Sequence, residues 1–310
     1  MPGTVQSFFP SMGTVNSITV YDEKLRDTVD RAREFVLGLE RSLSVFREDS
    51  ELSRLNSLKS PEWMPVSSDT FSVIETGVHC GKMTGGAFDI TAGPLSMLWK
   101  ETIRTHRLPD RTEIENARNL VGYRRLLLDR ARKRVRFRRS GQSIDPGGIA
   151  KGFAADRVSV MLADSGAEEF VLNFGGTVGA FGRERSIGIR DPFHTSGTLG
   201  TIKLRDSFAV TSGSYERSVT IEGTRRHHII DPLTGYPSDS GLSSVTLVGK
   251  TAAELDALAT AVFILGIERS VTILKENGTE AVFVTEEGEV LITPGLGNIF
   301  RFSGNSGGTI

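Results

Sequence analysis

The stretch "TAAELDALATAVFILG" (251–266) constrains the fold more than any other part of this 310-residue chain. Around Asp256 and Thr260 nearly every residue is Ala, Leu, Val, Ile or Phe, so the pattern predicts a helix whose face at these two residues is buried. Thr251 and Glu254 have the spacing of a capping box, which predicts where that helix starts. Asp256 and Thr260 lie four residues apart and therefore share a face. An unpaired carboxylate in such surroundings is strongly unfavourable, so the fold must bring Asp256 a partner. Two kinds of partner meet that demand. One is a backbone or basic group holding a structural aspartate. The other is a hard cation such as Mg2+, for which carboxylate and hydroxyl oxygens are ligands and which pairs readily with phosphates. The pair of residues by itself leaves both open.

A second stretch, "IDPGGIAKGFAAD" (144–156), sets a glycine pair and a lysine at the opening of a helix predicted from about Ile149 to Leu162. Such a loop suggests a phosphate grip, yet it matches neither common pattern. Lys151 precedes Gly152 and is followed by Phe153 where a Walker loop would end in Ser or Thr, and Gly147 and Gly148 are adjacent, which breaks G-x-G-x-x-G. Helical spacing also covers 24–41, with Val29, Ala32, Phe35, Val36 and Leu39 on one face. Further helices are predicted at Ser68–Met83, ended by Gly85 and Gly86, at about 112–120, and near 267–276. Strand patterns appear in "TVNSITVY" (14–21), in "EFVLNFGG" (169–176) and onward to about 248, and in a hairpin of "RLLLD" with "RVRFR" around "RARK". Helices and strands mix without the regular alternation of a doubly wound sheet. The prediction is α+β, one compact unit over residues 1–310, with two lobes facing each other across a cleft.

Composition enters by exclusion. A net charge of −1 gives no global drive toward nucleic acid or an anionic membrane. The basic run from Arg130 to Arg139 alternates Arg134, Arg136 and Arg138 with Val135 and Phe137, the pattern of one solvated hairpin face. The single cysteine, Cys80, excludes an intramolecular disulfide and a cysteine-rich zinc site. "AVFILG" (261–266) is too short to span a membrane, and "MPGTVQSFFPSMGT" has neither a basic start nor a long apolar run. The expectation is a cytoplasmic protein with no membrane span and no nucleic-acid partner.

Three polar stretches offer chemistry. "RRHHIIDPLTGYP" (225–237) carries His227 and His228, side chains whose pKa suits them to take a proton from an attacking hydroxyl. Neighbours in an extended segment point to opposite sides, so one of them at most faces a given site. "VTSGSYER" (210–217) lacks the G-x-S-x-G elbow of a nucleophile, and its Ser212 and Ser214 suit contacts to phosphate or ribose. "TGGAFDIT" (84–91) is a glycine-softened loop carrying Asp89 and compatible with close ligand approach. Each stretch also fits an ordinary turn. Together they supply glycine loops, hard-oxygen ligands and a candidate base, the equipment of phosphoryl transfer from a nucleotide.

In order along the chain, "SMGT" (11–14), "LSVFREDSELSRLN" (43–56), "GGAFDITAGPL" (85–95), "IDPGGIAKGFAAD", "VLNFGG" (171–176), "TSGSYER" (211–217), "HHIIDPLTGYP" (227–237) and "ELDALATAVFILG" (254–266) resemble the ApbE family, the FAD:protein FMN transferases. The resemblance covers nearly the whole chain. It implies Mg2+-dependent transfer of FMN from the substrate FAD to a Thr or Ser hydroxyl of a target flavoprotein, with release of AMP. Carried over by motif, it implies metal ligation by Asp256, Thr260 and the backbone carbonyl of Gly148. It also implies contacts to the flavin nucleotide from Asp145 and Lys151, and a pocket lined by Met12, Ala87, Phe88 and Asp89. Ile230 would pack on the ligand, and His228 would sit near the reacting phosphate as the base. Phe46 stands where the family often has tyrosine, which keeps a ring for stacking but loses a hydroxyl. Thr177 follows "NFGG" where the family commonly has aspartate. The same metal and pocket would serve a pyrophosphatase that splits FAD into FMN and AMP, whereas a flavin-binding protein without turnover would not need the metal. Many bacterial relatives are exported lipoproteins, and no lipobox cysteine is visible here. The acceptor's identity is not written in this sequence.

Overall fold

The computed structural model of the chain describes residues 3–194, 197–215, 218–221, 224–303 and 308–310. Strands β1 (Val5–Ser11) and β2 (Thr14–Val20) pair antiparallel, from Val5 opposite Val20 to Ser11 opposite Thr14. Met12 and Gly13 close this hairpin with φ of 53° and 75°, the left-handed pair with which a two-residue turn matches the twist of its strands. Helix α1 (Arg26–Leu43) buries Val29, Ala32, Val36 and Leu39, the stripe that its spacing predicts. A short helix α2 (Glu51–Asn56), capped by Ser50, is too brief for periodicity to reveal. After β3 (Met64–Pro65), helix α3 (Ser68–Met83) has the predicted bounds and is capped by Ser67.

Helix α4 (Gly93–Thr105) is absent from the sequence expectation, although proline in its first turn is a helix-start signal. Helix α5 (Arg111–Leu120) opens on a complete capping box of Asp110 and Glu113. Strands β4 (Leu126–Asp129) and β5 (Arg134–Phe137) form the expected hairpin, burying Val135 and Phe137. Of the three alternating arginines only Arg138 is exposed; Arg134 and Arg136 are half-buried, Arg134 lying over the Trp63 ring. Helix α6 (Ala150–Asp164) follows the glycine pair. The strand-rich stretch comprises β6 (Phe170–Phe174), β7 (Thr177–Phe181), β8 (Arg185–Arg190), β9 (Thr198–Leu204), β10 (Ser207–Gly213), β11 (Ser218–Ile221), β12 (Thr224–His227) and β13 (Leu242–Gly249). Helix α7 (Ala252–Glu276) then leads to β14 (Glu280–Thr285), β15 (Val290–Ile292), β16 (Phe300–Phe302) and β17 (Gly308–Thr309).

Among the described residues, nine strands form one sheet in the order β1-β2-β6-β7-β10-β13-β14-β15-β17. Side chains alternate between its faces, and each face has its own cover. Ile18, Leu172, Val210 and Leu247 on one face share the main core with Val36 of α1, Ala155 of α6 and Phe263 of α7. Ala180, Ala209, Val248 and Val282 on the other face pack against Ile189, Ile202 and Phe300 of a three-stranded sheet, β16-β9-β8. Buried residues of the main core come from elements between β1 and β14, so the chain is a single mixed α+β unit.

The predicted helices at 251–265 and 267–276 are both present: α7 is two helical segments meeting at a kink at Gly266, whose φ of 75° and ψ of 177° are non-helical and open to glycine at little cost. One detail of α7 corrects the sequence expectation. The predicted capping box does not form: Thr251 makes no side-chain capping bond. The first N–H groups of α7 are instead bonded by Asp156 of α6. The helix is also longer in its apolar character than "AVFILG" suggests. Among the described residues it alone is long and apolar enough to cross a membrane, with a mean hydropathy of 1.7 in its most apolar window. Here it is a core helix packed against β10, β13, α3 and α6.

Cys80 on α3 is fully buried, and burial, reinforced by the nearby charge of Glu254, pushes its thiol up to about 12. A thiol that far above neutral pH holds almost no reactive thiolate. Iodoacetamide at about pH 8 is therefore expected to leave the folded chain unmodified and to alkylate it once unfolded in urea, as intact mass would read. Rapid labelling of the folded chain would contradict this packing.

Candidate functional site

Helices α6 and α7 start side by side because Gly152 allows their backbones to touch. A Cβ on Gly152 would lie 2.1 Å from the carbonyl oxygen of Ala252. At this crossing the Gly152 N–H donates to Asp256 Oδ2 at 3.1 Å, and Lys151 Nζ stands 3.6 Å from Asp256 Oδ1. Asp256 is 3% exposed, so both protein partners that the sequence reading allowed, a backbone N–H and a basic group, are present. One turn further along α7, the Thr260 hydroxyl donates to the Asp256 carbonyl at 3.3 Å. A Cβ on Gly148 would come 3.1 Å from Thr260 Oγ1 and 3.2 Å from the Phe88 ring, so three distant segments meet around this glycine.

The donors gathered here are a carboxylate, a hydroxyl and backbone carbonyls. Among the described residues no group of three or more His, Cys, Asp or Glu side chains is placed to hold a metal. A cation at this place would have one carboxylate and would draw its remaining oxygens from the backbone, water and phosphate. That set fits Mg2+, which is commonly held by one or two carboxylates together with substrate phosphates, and it does not fit zinc. The cradle over Gly148, which any side chain would narrow, is consistent with such an approach.

From this cluster a chain of contacts runs to the surface. Lys151 Nζ reaches the Gly147 carbonyl at 3.4 Å, and the Gly147 N–H donates to Asp145 Oδ1 at 2.9 Å. Lys100 on α4 donates to Asp145 Oδ2 at 2.9 Å and lies 5.3 Å from the centre of the Phe46 ring, which is 73% exposed. Burial alone would raise the Asp145 carboxyl, but the charge and hydrogen bond of Lys100, with the Gly147 N–H, hold it below the usual range. Sequence reasoning missed Lys100. Its only signal is a place on a helix that spacing did not reveal.

Asp89 is buried and turned into the protein. Its Oδ1 accepts from the N–H and hydroxyl of Thr91, and its Oδ2 accepts from the Tyr123 N–H. Burial pushes this carboxyl above the ordinary range despite those three bonds. It folds the 88–92 loop, which bonds across to Asp145 through the Ile90 carbonyl and sets the buried Phe88 ring beside Gly148; Ala87 is buried as well. Met12 sits on the β1–β2 turn with its N–H donated to Glu40 of α1 at 2.6 Å, and Ser11 donates to the other Glu40 oxygen at 2.9 Å. Glu40 is a second residue that sequence reasoning missed.

The two histidines separate as an extended segment requires. His227 is 8% exposed, packs edge-on against Phe263 of α7 and meets the Ser238 carbonyl at 3.0 Å, whereas His228 is half-buried. Ile230 is 7% exposed and packs with Leu95, Trp99 and Ile114, so it anchors its loop on α4 and α5 and leaves little surface to offer a ligand. The Trp99 indole N–H donates to the Gly235 carbonyl at 2.8 Å and secures the other end of that loop. Thr177 is wholly buried at the start of β7, and its hydroxyl finds no partner among the described residues. In "TSGSYER", Glu216 and Arg217 lie outside the described residues; Ser214 is buried, its N–H donated to the Ser243 carbonyl at 3.0 Å.

The model of the ApbE family matches residues 12–283. The FAD:protein FMN transferase of Klebsiella pneumoniae (strain 342) is 32% identical over 275 residues, covering 88% of this chain and 86% of that protein. That of Treponema pallidum (strain Nichols) is 31% identical over 309 residues, covering 92% and 85%. The crystal structure of an ApbE protein from Thermotoga maritima superposes with a TM-score of 0.85 at 34% identity, over 93% of this chain and 96% of the other. The flavin transferase ApbE of Vibrio cholerae gives 0.81 at 27% identity, over 96% of each chain.

Lys100→Met tests the electrostatics of this site. The Asp145 carboxyl is lowered on folding, so its contribution to stability is present above the unfolded value and lost as pH falls through the folded one. Without Lys100 only the Gly147 N–H and the Ser96 hydroxyl oppose burial, so the carboxyl moves upward and its contribution to stability at neutral pH shrinks. Melting temperatures of variant and wild type should converge as pH falls below about 4, through the lowered folded value, and diverge toward about pH 7. The carboxyl 13C titration of Asp145 should move upward, and an unmoved titration would rule out Lys100 as its controlling partner.

Proposed function

The chain belongs to the ApbE family, and we propose that it is an FAD:protein FMN transferase that moves FMN from FAD onto a Thr or Ser hydroxyl of a target flavoprotein, requiring Mg2+ and releasing AMP. The observation that carries this reading is the α6–α7 junction, where Gly148, Lys151, Asp256 and Thr260 converge beside Phe88. Mg2+, held by the Asp256 carboxylate, the Thr260 hydroxyl and the Gly148 carbonyl, supplies charge compensation for the pyrophosphate.

Lys151 adds a positive charge at the same place and shares the task of offsetting developing negative charge. Ala87 and Phe88 form an apolar wall, and the exposed Phe46 ring offers a face on which a flat heteroaromatic group stacks. Asp145 accepts hydrogen bonds while Lys100 keeps it ionised. Asp89 and Ile230 act through the loops they fold, and Met12 through a turn fixed by Glu40. With His227 turned onto Phe263, His228 is the histidine on the opposite side of the segment and takes the proton of the attacking hydroxyl. The hydroxyl oxygen bonds to the FMN phosphorus as the bond from that phosphorus to the bridging oxygen breaks, and AMP leaves with the bridging oxygen.

The test is AMP release from FAD with Mg2+, with and without a candidate acceptor, read together with the acceptor's intact mass. The expected result is AMP only with acceptor, plus an FMN-sized mass gain. Asp256→Ala should bring Mg2+-dependent turnover to background, and His228→Ala should slow it by about 10²- to 10⁴-fold. AMP at an equal rate without acceptor would replace transfer with hydrolysis, and full activity of Asp256→Ala would remove the metal assignment.

A further inference from the structure

The starts of α6 and α7 cap one another. Asp156, in the second turn of α6, accepts the N–H of Ala252 on Oδ1 at 2.7 Å and that of Ala253 on Oδ2 at 2.8 Å, the first two donors of α7. Asp256, in the second turn of α7, accepts the Gly152 N–H in the first turn of α6. In each helix the aspartate lies four residues after the donor that the other helix's aspartate receives, 152 and 156 in one, 252 and 256 in the other. Neither helix has a local side-chain cap, because Ile149 and Thr251 make no side-chain capping bond, although the Ala150 N–H of α6 is taken by the Pro146 carbonyl. The first N–H groups of a helix need acceptors, and here α6 supplies two of them to α7 and α7 supplies one to α6.

This exchange leaves α7 little freedom to slide or rotate against α6. A shift along the crossing breaks the two bonds to Asp156 and drives the Ala252 carbonyl into Gly152, where a Cβ already would not fit. The same register decides whether Asp256 and Thr260, on α7, meet Gly148 and Lys151, at the head of α6. We propose that Asp156 is a positioning residue for the cation site: its carboxylate, with the bare Gly152 backbone, holds α7 in the register at which the ligands on the two helices converge. This rests on the metal reading given above, and it concerns a residue whose two carboxylate oxygens are both taken by the start of α7.

The test uses the full chain and Mn2+ as probe, titrated alone and with FAD, with free Mn2+ read from its electron paramagnetic resonance signal. Asp156→Ala is expected to weaken Mn2+ binding about 10- to 100-fold, the range in which groups that orient a metal's ligands act. Asp156→Asn should fall between, since its amide oxygen keeps one of the two N–H bonds while its amide N–H2 faces the other. Gly152→Ala, which forces the helices apart and changes no charge, should weaken binding as Asp156→Ala does. Unchanged Mn2+ affinity in all three variants, even with lowered melting temperatures, would overturn the proposal and leave Asp156 a stabilising cap only. If Asp156→Ala does not melt cooperatively, Asp156→Asn and Gly152→Ala decide the matter by the same criterion. A wild-type chain that binds no Mn2+ with or without FAD would defeat the metal reading itself, an outcome distinct from equal binding across the variants.

Discussion

The close contact of α6 and α7 at Gly152 is the constraint on which the rest of this structure depends. Two helices usually keep 8–10 Å between axes because side chains intervene. Here the backbones meet, with the Ala252 carbonyl where a Cβ would otherwise stand. That approach brings the N–H of one helix within reach of a carboxylate on the other, and a hydrogen bond to a charged group contributes about 1.5–3 kcal/mol, more than a neutral one. The apolar bulk of α7 then packs on β10 and β13, and the glycine pair before α6 is carried to Thr260. Fold and candidate site share one contact.

Four aspartates around this junction show how environment separates roles. Asp145 is held low by Lys100, while Asp89 is pushed up by burial although three donors reach it. Burial likewise pushes Asp156 up to about 6 against its two N–H bonds, with the charges of Glu254 and Asp256 adding to the rise. Asp256 has one backbone donor and a lysine at 3.6 Å. Two of these groups build loops and helix starts, and two remain where charge is needed. Residue type alone does not distinguish them, because hydrogen bonds and burial act in opposite directions on a carboxylate.

Much of the architecture was legible because periodicity reports burial. The stripe on α1, the bounds of α3, the β4–β5 hairpin and the bent pair within α7 all follow from which residues avoid water. What escaped had weak local signals or non-local causes. Helix α2 is a turn and a half, and α4 is followed by no glycine stop, its C-cap being His106 in a left-handed conformation. The capping box at Thr251 and Glu254 was a sound local pattern that a tertiary partner displaced, since Asp156 offers two oxygens to two donors at once. Lys100 and Glu40 gave no signal, because a salt bridge or turn anchor 45 or 28 residues away in sequence is not encoded in local spacing.

The sequence by itself determined that the face of 251–266 at Asp256 and Thr260 must be buried, that its carboxylate must find a partner, that the chain mixes helices with strands, and which blocks resemble a flavin transferase. The first three rest on hydrophobicity and spacing, which act residue by residue and need no knowledge of neighbours across the fold, and the last on matching blocks of sequence. Only the tertiary structure decided which partner each buried charge takes: Gly152 and Lys151 for Asp256, Lys100 for Asp145, and the start of α7 for Asp156. It also decided that His227 turns inward against Phe263 and that Ile230 joins a core cluster. Hydrogen bonds and ion pairs are short-ranged and directional, so their partners are chosen by the geometry that brings distant segments within about 3 Å, and that geometry exists only once the chain has packed.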